Sequence, residues 1–228
     1  IPTERCSVLI IGSGPAGLAA ALQLRKQGVT NIKVVEREAE AGGMPRFCHH
    51  TGFGLRDLQR LHSGPSYARA YRQRTLDAGI ALETATTITG WVGPHAVTAT
   101  SPAGIKQIEA TAILLATGCR ERPAAARLIP GYRPLGVFTT GSLQRFVYEY
   151  GQPVGKRAVV VGAELVSLSA LLTLHHAGAT VEQMITDLPQ HQIALPFLPV
   201  LWYAGQRLKV KVSTQAQISR ILGRHHVE

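Results

Sequence analysis

Cysteine is scarce in this chain. Cys6, Cys48 and Cys119 stand far apart and are odd in number, which argues against a disulfide framework or a zinc knuckle and leaves reduced thiols as the expectation. Long apolar runs are lacking too. None approaches the roughly 20 residues that span a bilayer, and no basic segment precedes the first apolar stretch, so neither a membrane helix nor a secretion signal is expected. A cytoplasmic globular protein is the reading, and 228 residues with 45% hydrophobic content supply one large domain or two of ordinary size. Acidic residues are few, 14 against 24 Lys and Arg, for a formal charge of +10. Much of the excess is arginine between Arg120 and Arg133, scattered among prolines and glycines. There is no basic helix face, RNP-like motif or interleaving of aromatics, which disfavours nucleic acid and favours an acidic partner subunit or an acidic segment.

The strongest positive signal is "CSVLIIGSGPAGLAAALQLRKQG" followed by "IKVVERE". Residues 6–11 are nearly all apolar, as in a parallel strand buried on both faces. Gly12, Gly14 and Gly17, with Pro15 and Ala16 between the last two, then spell G-x-G-x-x-G and open an Ala- and Leu-rich helix ending near Gly28. Gly12 permits the tight turn, Gly14 lets backbone amides approach a pyrophosphate, and Gly17 lets the helix pack closely on the strand. The positive end of the helix then faces the phosphates. A second strand at 32–35 ends in Glu36, 24 residues after Gly12, where an acid accepts hydrogen bonds from a ribose. An acid there repels a 2'-phosphate, so FAD or NAD fits better than NADP.

Further on, residues 67–78 are predicted helical. "IALETATTI", "HAVTATSPAG" and "IKQIEATAILLATG" are predicted as short strands with turns at Gly93-Pro94 and Pro102-Ala103-Gly104. They form an antiparallel meander that returns to the parallel sheet at 112–116, where Thr117 and Gly118 keep the backbone slim beside a cofactor.

A second unit begins at Lys156, "KRAVVVGAELVSLSALLTLHHAGATVEQMIT". Gly162 aligns with Gly12 and Gly178 with Gly28, but Glu164 replaces Gly14, Ser167 replaces Gly17 and Thr186 replaces Glu36. A carboxylate about 4 Å from a pyrophosphate costs roughly 4 kcal/mol at an effective dielectric near 20, about a thousandfold in affinity. Binding of NAD(P) through this unit is therefore doubtful; the alternative is that Glu164 turns away and weak binding survives. The expected fold class is α/β: a Rossmann-like FAD-binding parallel sheet with an antiparallel meander over 1–150, and a partial second Rossmann-like unit of degenerate NAD type over 151–228.

The order of glycine loop, "EREAEAGG", meander, "ATG" and second unit resembles the two-dinucleotide-domain flavoproteins of the pyridine nucleotide-disulfide oxidoreductase superfamily, over essentially the whole chain. "GGMPRFCHHTGFGLRDLQRLHSGPSYA" and "LLATGCRERPAAARLIPGYRPLGVFTTGSLQ" resemble, more narrowly, the FAD-containing alpha subunits of bacterial dye-linked dehydrogenases: opine oxidase, hydrogen cyanide synthase, proline dehydrogenase and glycerol-3-phosphate dehydrogenase-like proteins. The resemblance assigns Gly12, Gly14, Pro15, Ala16 and Gly17 to the FAD pyrophosphate and Glu36 to the adenosine ribose. It assigns Arg37, Thr87 and Ile88 to the adenosine surroundings, Gly42 and Gly43 to the loop near the cofactor, and Ala116, Thr117 and Gly118 to the returning strand.

It implies an FAD-dependent oxidoreductase, the flavoprotein subunit of a dye- or quinone-linked dehydrogenase that oxidises a small amine or amino acid, partnered by a second dehydrogenase subunit. Three departures stand out. No C-x4-C pair follows Gly43, the second loop is degraded, and the family's later Gly-Asp motif does not occur before Glu228, so the chain reads as C-terminally incomplete. The rival readings are an NAD(P)H-dependent flavin reductase and a non-catalytic, nucleotide-binding accessory subunit.

Several residues invite chemistry but have plainer readings. Cys48-His49-His50 follows the Gly42-Gly43 turn and reads as an ordinary loop more than as a flavin neighbour, and it lacks the convergent ligands of a metal site. His175-His176 suits a helix C-terminus. Cys6 belongs to the core. "CRERP" at 119–123 reads as a structural hinge rather than a substrate clamp, and "FLPVLWY" at 197–203 as core or a partner surface. No catalytic residue is nominated and no metal is expected.

Overall fold

The computed structural model describes residues 1–227, which fall into two compact units divided after Cys119. In the first unit, β1 (Thr3–Ile11) leads through α1 (Pro15–Lys26) to β2 (Ile32–Val35), then to a small hairpin of β3 (Thr51–Phe53) and β4 (His62–Ser63). After it come α2 (Gly64–Asp77), β5 (Ala81–Glu83), β6 (Thr87–Gly93), β7 (Ala96–Ser101) and β8 (Gly104–Leu115). One six-stranded sheet runs β5-β2-β1-β8-β7-β6. Its first four strands are parallel, with Val8 beside Ile32, Cys6 beside Ala110 and Lys33 beside Ala81, and the last three form the meander.

The apolar run of β1 is explained by burial on both faces. Side chains alternate along a strand, yet Leu9 and Ile10 are both fully buried. Leu9 packs with Val35, Val97, Ala99 and Ile108, while Ile10 packs with Leu18, Ala21 and Tyr71 from the helices and with Val34 and Ile80. Each such side chain contributes about 2 kcal/mol of burial. The second cluster seats α1 against the sheet and so positions the Gly12 turn.

Three sequence expectations shift. "IALETATTI" is two strands: residues 81–83 join the parallel sheet next to β2, and the meander starts at Thr87, after a break at Ala85 with φ of +51°. The strand β8 is continuous rather than arriving at 112, pairing with β7 through Glu109 and with β1 from Gln107 onward. Helix α2 starts at Gly64, earlier than the predicted 67, with Pro65 in its first turn. Gly64 is required there because a Cβ would collide with the Pro45 and Cys48 carbonyl oxygens.

Four strands are also stitched by charge. Lys33 pairs with Glu4 and, at 3.1 Å, with Glu83; Lys106 pairs with Glu4 at 2.9 Å and Glu83 at 2.7 Å. Hydrogen bonds from Lys33 and Lys106 lower the Glu4 pKa. At Glu83 burial opposes ionisation, but the bonds from Lys106 and Lys33 prevail and lower its pKa. At Lys106 burial works downward, and the two glutamates prevail and raise its pKa.

Depressed carboxylates give stability that is present above their unfolded pKa and lost as pH falls through the folded value. A raised lysine gives stability that is present below its unfolded pKa and lost as pH rises through the folded one. Lys106→Met is therefore expected to cost about 1 kcal/mol near neutrality and to flatten both the acid and the alkaline limb of the stability curve. Urea midpoints measured across pH check this, and wild-type and variant curves that stay parallel would contradict the network.

The second unit contains α3 (Thr140–Tyr148), β9 (Arg157–Val161), α4 (Leu165–His176), β10 (Thr180–Ile185), α5 (Leu198–Arg207) and β11 (Lys211–Ser213). Its parallel sheet runs β11-β10-β9. The division after Cys119 falls before the boundary expected at 150, and side-chain contacts explain why. Leu143 of α3 joins the cluster of Leu168, Leu171, Leu174 and Met184, and Gln144 donates to Ser169 at 2.7 Å. Glu121 of "CRERP" accepts hydrogen bonds from the Thr140 and Gly141 amides at 3.0 and 2.7 Å, capping α3. "FLPVLWY" enters α5: Leu198, Val200 and Leu201 pack on the core and Trp202 faces solvent. No helix among the described residues is long and apolar enough to cross a membrane.

Candidate functional site

The β1–α1 turn is built so that only glycine fits at two of its three glycine positions. Gly12 has φ of +107°, and its amide donates to the Val35 carbonyl at 2.8 Å. A Cβ on Gly12 would strike the Ala116 carbonyl, and a Cβ on Gly17 would strike the Gly12 carbonyl oxygen. Thus β8 ends directly against the turn, with the Ala116 amide donating to the Ile11 carbonyl at 2.8 Å and the Thr117 Cα 3.3 Å from where a Gly12 Cβ would stand. Gly14 differs, for an added Cβ meets nothing within 4 Å. Its outward side is open space at the start of α1, where no side chain caps the helix and the first turn carries no acid. Uncapped amides and the positive end of a helix facing an opening are the chemistry that receives a phosphate.

Beside that opening lies Glu36, 7% exposed. One carboxylate oxygen accepts from the Ser13 amide at 3.0 Å and the Ser13 hydroxyl at 2.6 Å; the other accepts from the Glu38 amide at 3.0 Å. A carboxylate has about four acceptor positions, so one remains for a ribose hydroxyl. Ser13, fully buried, also receives the Gly42 amide on its carbonyl at 3.0 Å. Glu36, Ser13 and Gly42 therefore form one chain of hydrogen bonds that sets the Gly42-Gly43 loop against the glycine turn, where Gly43 abuts Gly14. The sequence pattern does not single out Ser13; a hydroxyl between two glycines of the turn is its only signal.

The remaining expected residues fall around this centre. Pro15 and Ala16 form the first turn of α1, and Thr117 and Gly118 are exposed just past β8. Arg37 is largely exposed and pairs with Glu38 at 3.5 Å. The Thr86 amide donates to the Glu36 carbonyl at 2.9 Å; Thr87 is exposed at the start of β6 and Ile88 packs on the core beneath the meander.

The Cys48-His49-His50 loop is packed rather than poised. Cys48 donates to the Met44 carbonyl, and His50 stacks on Phe53, which continues to Tyr67 and Tyr71 at successive centroid distances of 5.5, 5.7 and 5.1 Å. Asp57 clasps this row by accepting from both phenols, at 2.5 and 2.7 Å on the same oxygen. Burial and the bond to Asp57 push the Tyr67 phenol well up. At Asp57 burial opposes ionisation, but the two phenols prevail and hold its pKa low. No cluster of His, Cys, Asp or Glu among the described residues has the arrangement of a metal site.

In the second unit Gly162 again turns with positive φ, at +139°. Glu164 stands in the place of Gly14, its two carboxylate oxygens 2.7 and 2.8 Å from where a Gly162 Cβ would stand. Thr186, in the place of Glu36, offers a single oxygen, which the Leu188 amide approaches at 3.4 Å.

A strand-turn-helix that occurs twice, with one open helix start beside a buried carboxylate, is the architecture of the dinucleotide-binding α/β class. The chain belongs to the pyridine nucleotide-disulphide oxidoreductase family, whose model matches residues 6–228. It is 28% identical over 179 residues to the HcnB component of hydrogen cyanide synthase from Pseudomonas aeruginosa, covering 76% of this chain and 37% of that protein. It is 28% identical over 166 residues to one of the subunits of opine oxidase from Agrobacterium tumefaciens, covering 68% and 31%. The chain thus spans about a third of the length of these relatives. Among solved structures it superposes on L-proline dehydrogenase from P. horikoshii with a TM-score of 0.60 at 18% identity, over 83% of this chain and 37% of that one. Lactococcus lactis thioredoxin reductase gives 0.70 at 16%, over 98% and 69%.

The family implies FAD, and the first unit fits its adenosine-diphosphate half: glycines that a Cβ would close, an uncapped helix start and a buried acid with acceptor capacity to spare.

Proposed function

We propose that this chain is the FAD-binding part of an oxidoreductase that oxidises a small amine or amino acid, working as the flavoprotein subunit of a dye- or quinone-linked dehydrogenase. The observation that carries the reading is the open seat at Gly14 beside the buried carboxylate of Glu36. In this reading the amides of Gly14, Ala16 and Gly17 hold the pyrophosphate and Glu36 accepts from the adenosine ribose. Arg37, Thr87 and Ile88 border the adenosine, Gly42 and Gly43 bring the following loop to the cofactor, and Ala116, Thr117 and Gly118 line its near side. When bound, the flavin supplies two-electron redox chemistry; the protein supplies placement and a fixed electrostatic surrounding.

The relatives from hydrogen cyanide synthase and opine oxidase are both named as subunits, which supports a partner in the form of a second dehydrogenase subunit. The three free thiols are in keeping with a cytoplasmic setting.

Purified protein is expected to be yellow and to release FAD, not FMN, on denaturation. A colourless protein that takes up no added FAD would remove the basis of this reading. Turnover of an amine with an artificial dye supports catalysis by this chain, whereas turnover only after a copurifying chain is added back points to an accessory role.

A further inference from the structure

The family name carries a pyridine nucleotide, and the second unit does not fit one. Yet its backbone is that of the first. The Gly162 amide donates to the Ile185 carbonyl at 2.8 Å, as Gly12 does to Val35. The Gln192 amide donates to the Ala163 carbonyl at 2.8 Å, as Gly42 does to Ser13. Thr186 donates to Ser213 and accepts from Ala216 at 3.0 and 2.9 Å, as Glu36 does with Glu83 and Thr86. Even the strained residue recurs: Gln215, with φ of +52°, donates to the Leu188 carbonyl as Ala85 donates to Glu38. Helix α4 also begins without a side-chain cap. What differs is side chains.

The structure assigns the exclusion of a dinucleotide from this otherwise intact second seat to Glu164, Ser167 and Thr186. Each acts by a different route. At Gly14 the direction a Cβ would take is open space, the place a ligand must fill; Glu164 puts a side chain there and bends its carboxylate back across Gly162. In the first unit the point above Gly12 is occupied by the Ala116 carbonyl and Thr117 instead. Gly17 has no room for a Cβ beneath the Gly12 carbonyl. Ser167 has one and is buried, with its hydroxyl close against the Gly162 position, so a side chain occupies the junction of turn and helix that Gly17 leaves without one. Thr186 removes the ribose acid, and Ala163 has no hydroxyl to replace the link that Ser13 makes in the first unit.

The inference concerns the second unit alone and does not rest on the flavin reading. The test is direct binding of NADH, followed by calorimetry and by NADH fluorescence, on the full chain as purified, with FAD content measured separately to report on the first seat. Wild type is expected to show no saturable NADH binding in the micromolar range. The triple variant E164G/S167G/T186E is expected to gain on the order of a hundredfold in affinity, since relief of one nearby carboxylate alone is worth up to about a thousandfold. Micromolar binding by wild type overturns the inference. So does a triple variant with unchanged circular dichroism that gains nothing.

If the triple variant does not fold, Glu164→Gly against Glu164→Ala decides. Both remove the charge but only alanine keeps a Cβ in the ligand's place, so glycine must bind NADH more tightly, and equal affinities overturn the assignment.

Discussion

Gly14→Ala is expected to abolish flavin retention while leaving the apoprotein as stable as wild type, and Gly17→Ala is expected to lose both. The two glycines share a motif, yet their surroundings are opposite. A methyl group on Gly14 meets nothing within 4 Å, so folding is indifferent to it; the group projects into the space the pyrophosphate needs, and backbone amides lose their close approach. A methyl group on Gly17 is driven into the Gly12 carbonyl oxygen and lies 3.2 Å from the Ala116 side chain. Relief requires α1 to lift from β1, and overpacking of this kind costs about 1–3 kcal/mol.

The helix also holds Leu18 and Ala21 in the cluster with Ile10 and Val34, so its displacement is felt across the sheet. The flavin-to-protein absorbance ratio and the apoprotein melting temperature separate the cases. A Gly14→Ala protein that keeps stoichiometric FAD would show that the open side of Gly14 is not the phosphate seat.

Glu36→Ala is expected to destabilise the apoprotein by about 2–4 kcal/mol, because it leaves the buried Ser13 hydroxyl and amide and the Glu38 amide without their charged acceptor. It is expected also to weaken FAD binding by at least about tenfold, through the lost ribose contact and through release of the Gly42 loop that Ser13 positions. Glu36→Gln is the sharper variant. It keeps the volume, but its amide group supplies donors where Ser13 or Glu38 already presents donors, so one side of the network must break. Urea midpoints of the apoproteins and FAD titrations measure the two effects independently. A Glu36→Gln protein unchanged in both would show that the carboxylate is neither the support of the turn nor the ribose acceptor.

Much of the first cradle was legible because the rules that build it are local. A chain turning with positive φ needs glycine at Gly12; a helix lying against that turn needs glycine at Gly17; a strand buried on both faces is apolar throughout. These follow from covalent geometry and hard-sphere contact within a few residues, so the motif identified the strand, turn, helix and acid in order. For the same reason the decline of the second unit was visible at Glu164 and Thr186 before any fold was known.

Other features depended on which distant segment arrives where. Residues 81–83 have no property that separates a parallel neighbour of β2 from a meander strand, and only the pairing of Lys33 with Ala81 distinguishes them. Glu121 is one acid among arginines until α3 brings its amides to it, an arrangement that groups 120–150 with the second unit. Asp57 is an ordinary loop aspartate until α2 presents Tyr67 and Tyr71 to the same oxygen.

The sequence by itself marked out the glycine turn and the acid that follows β2, since a missing Cβ and a terminal acid are properties of single positions. Only the tertiary structure decided what holds that place open: Ser13 between Glu36 and Gly42, and Ala116 against Gly12. Those contacts join residues far apart in the chain, and hydrogen bonds and packing are satisfied by whatever folding brings within reach.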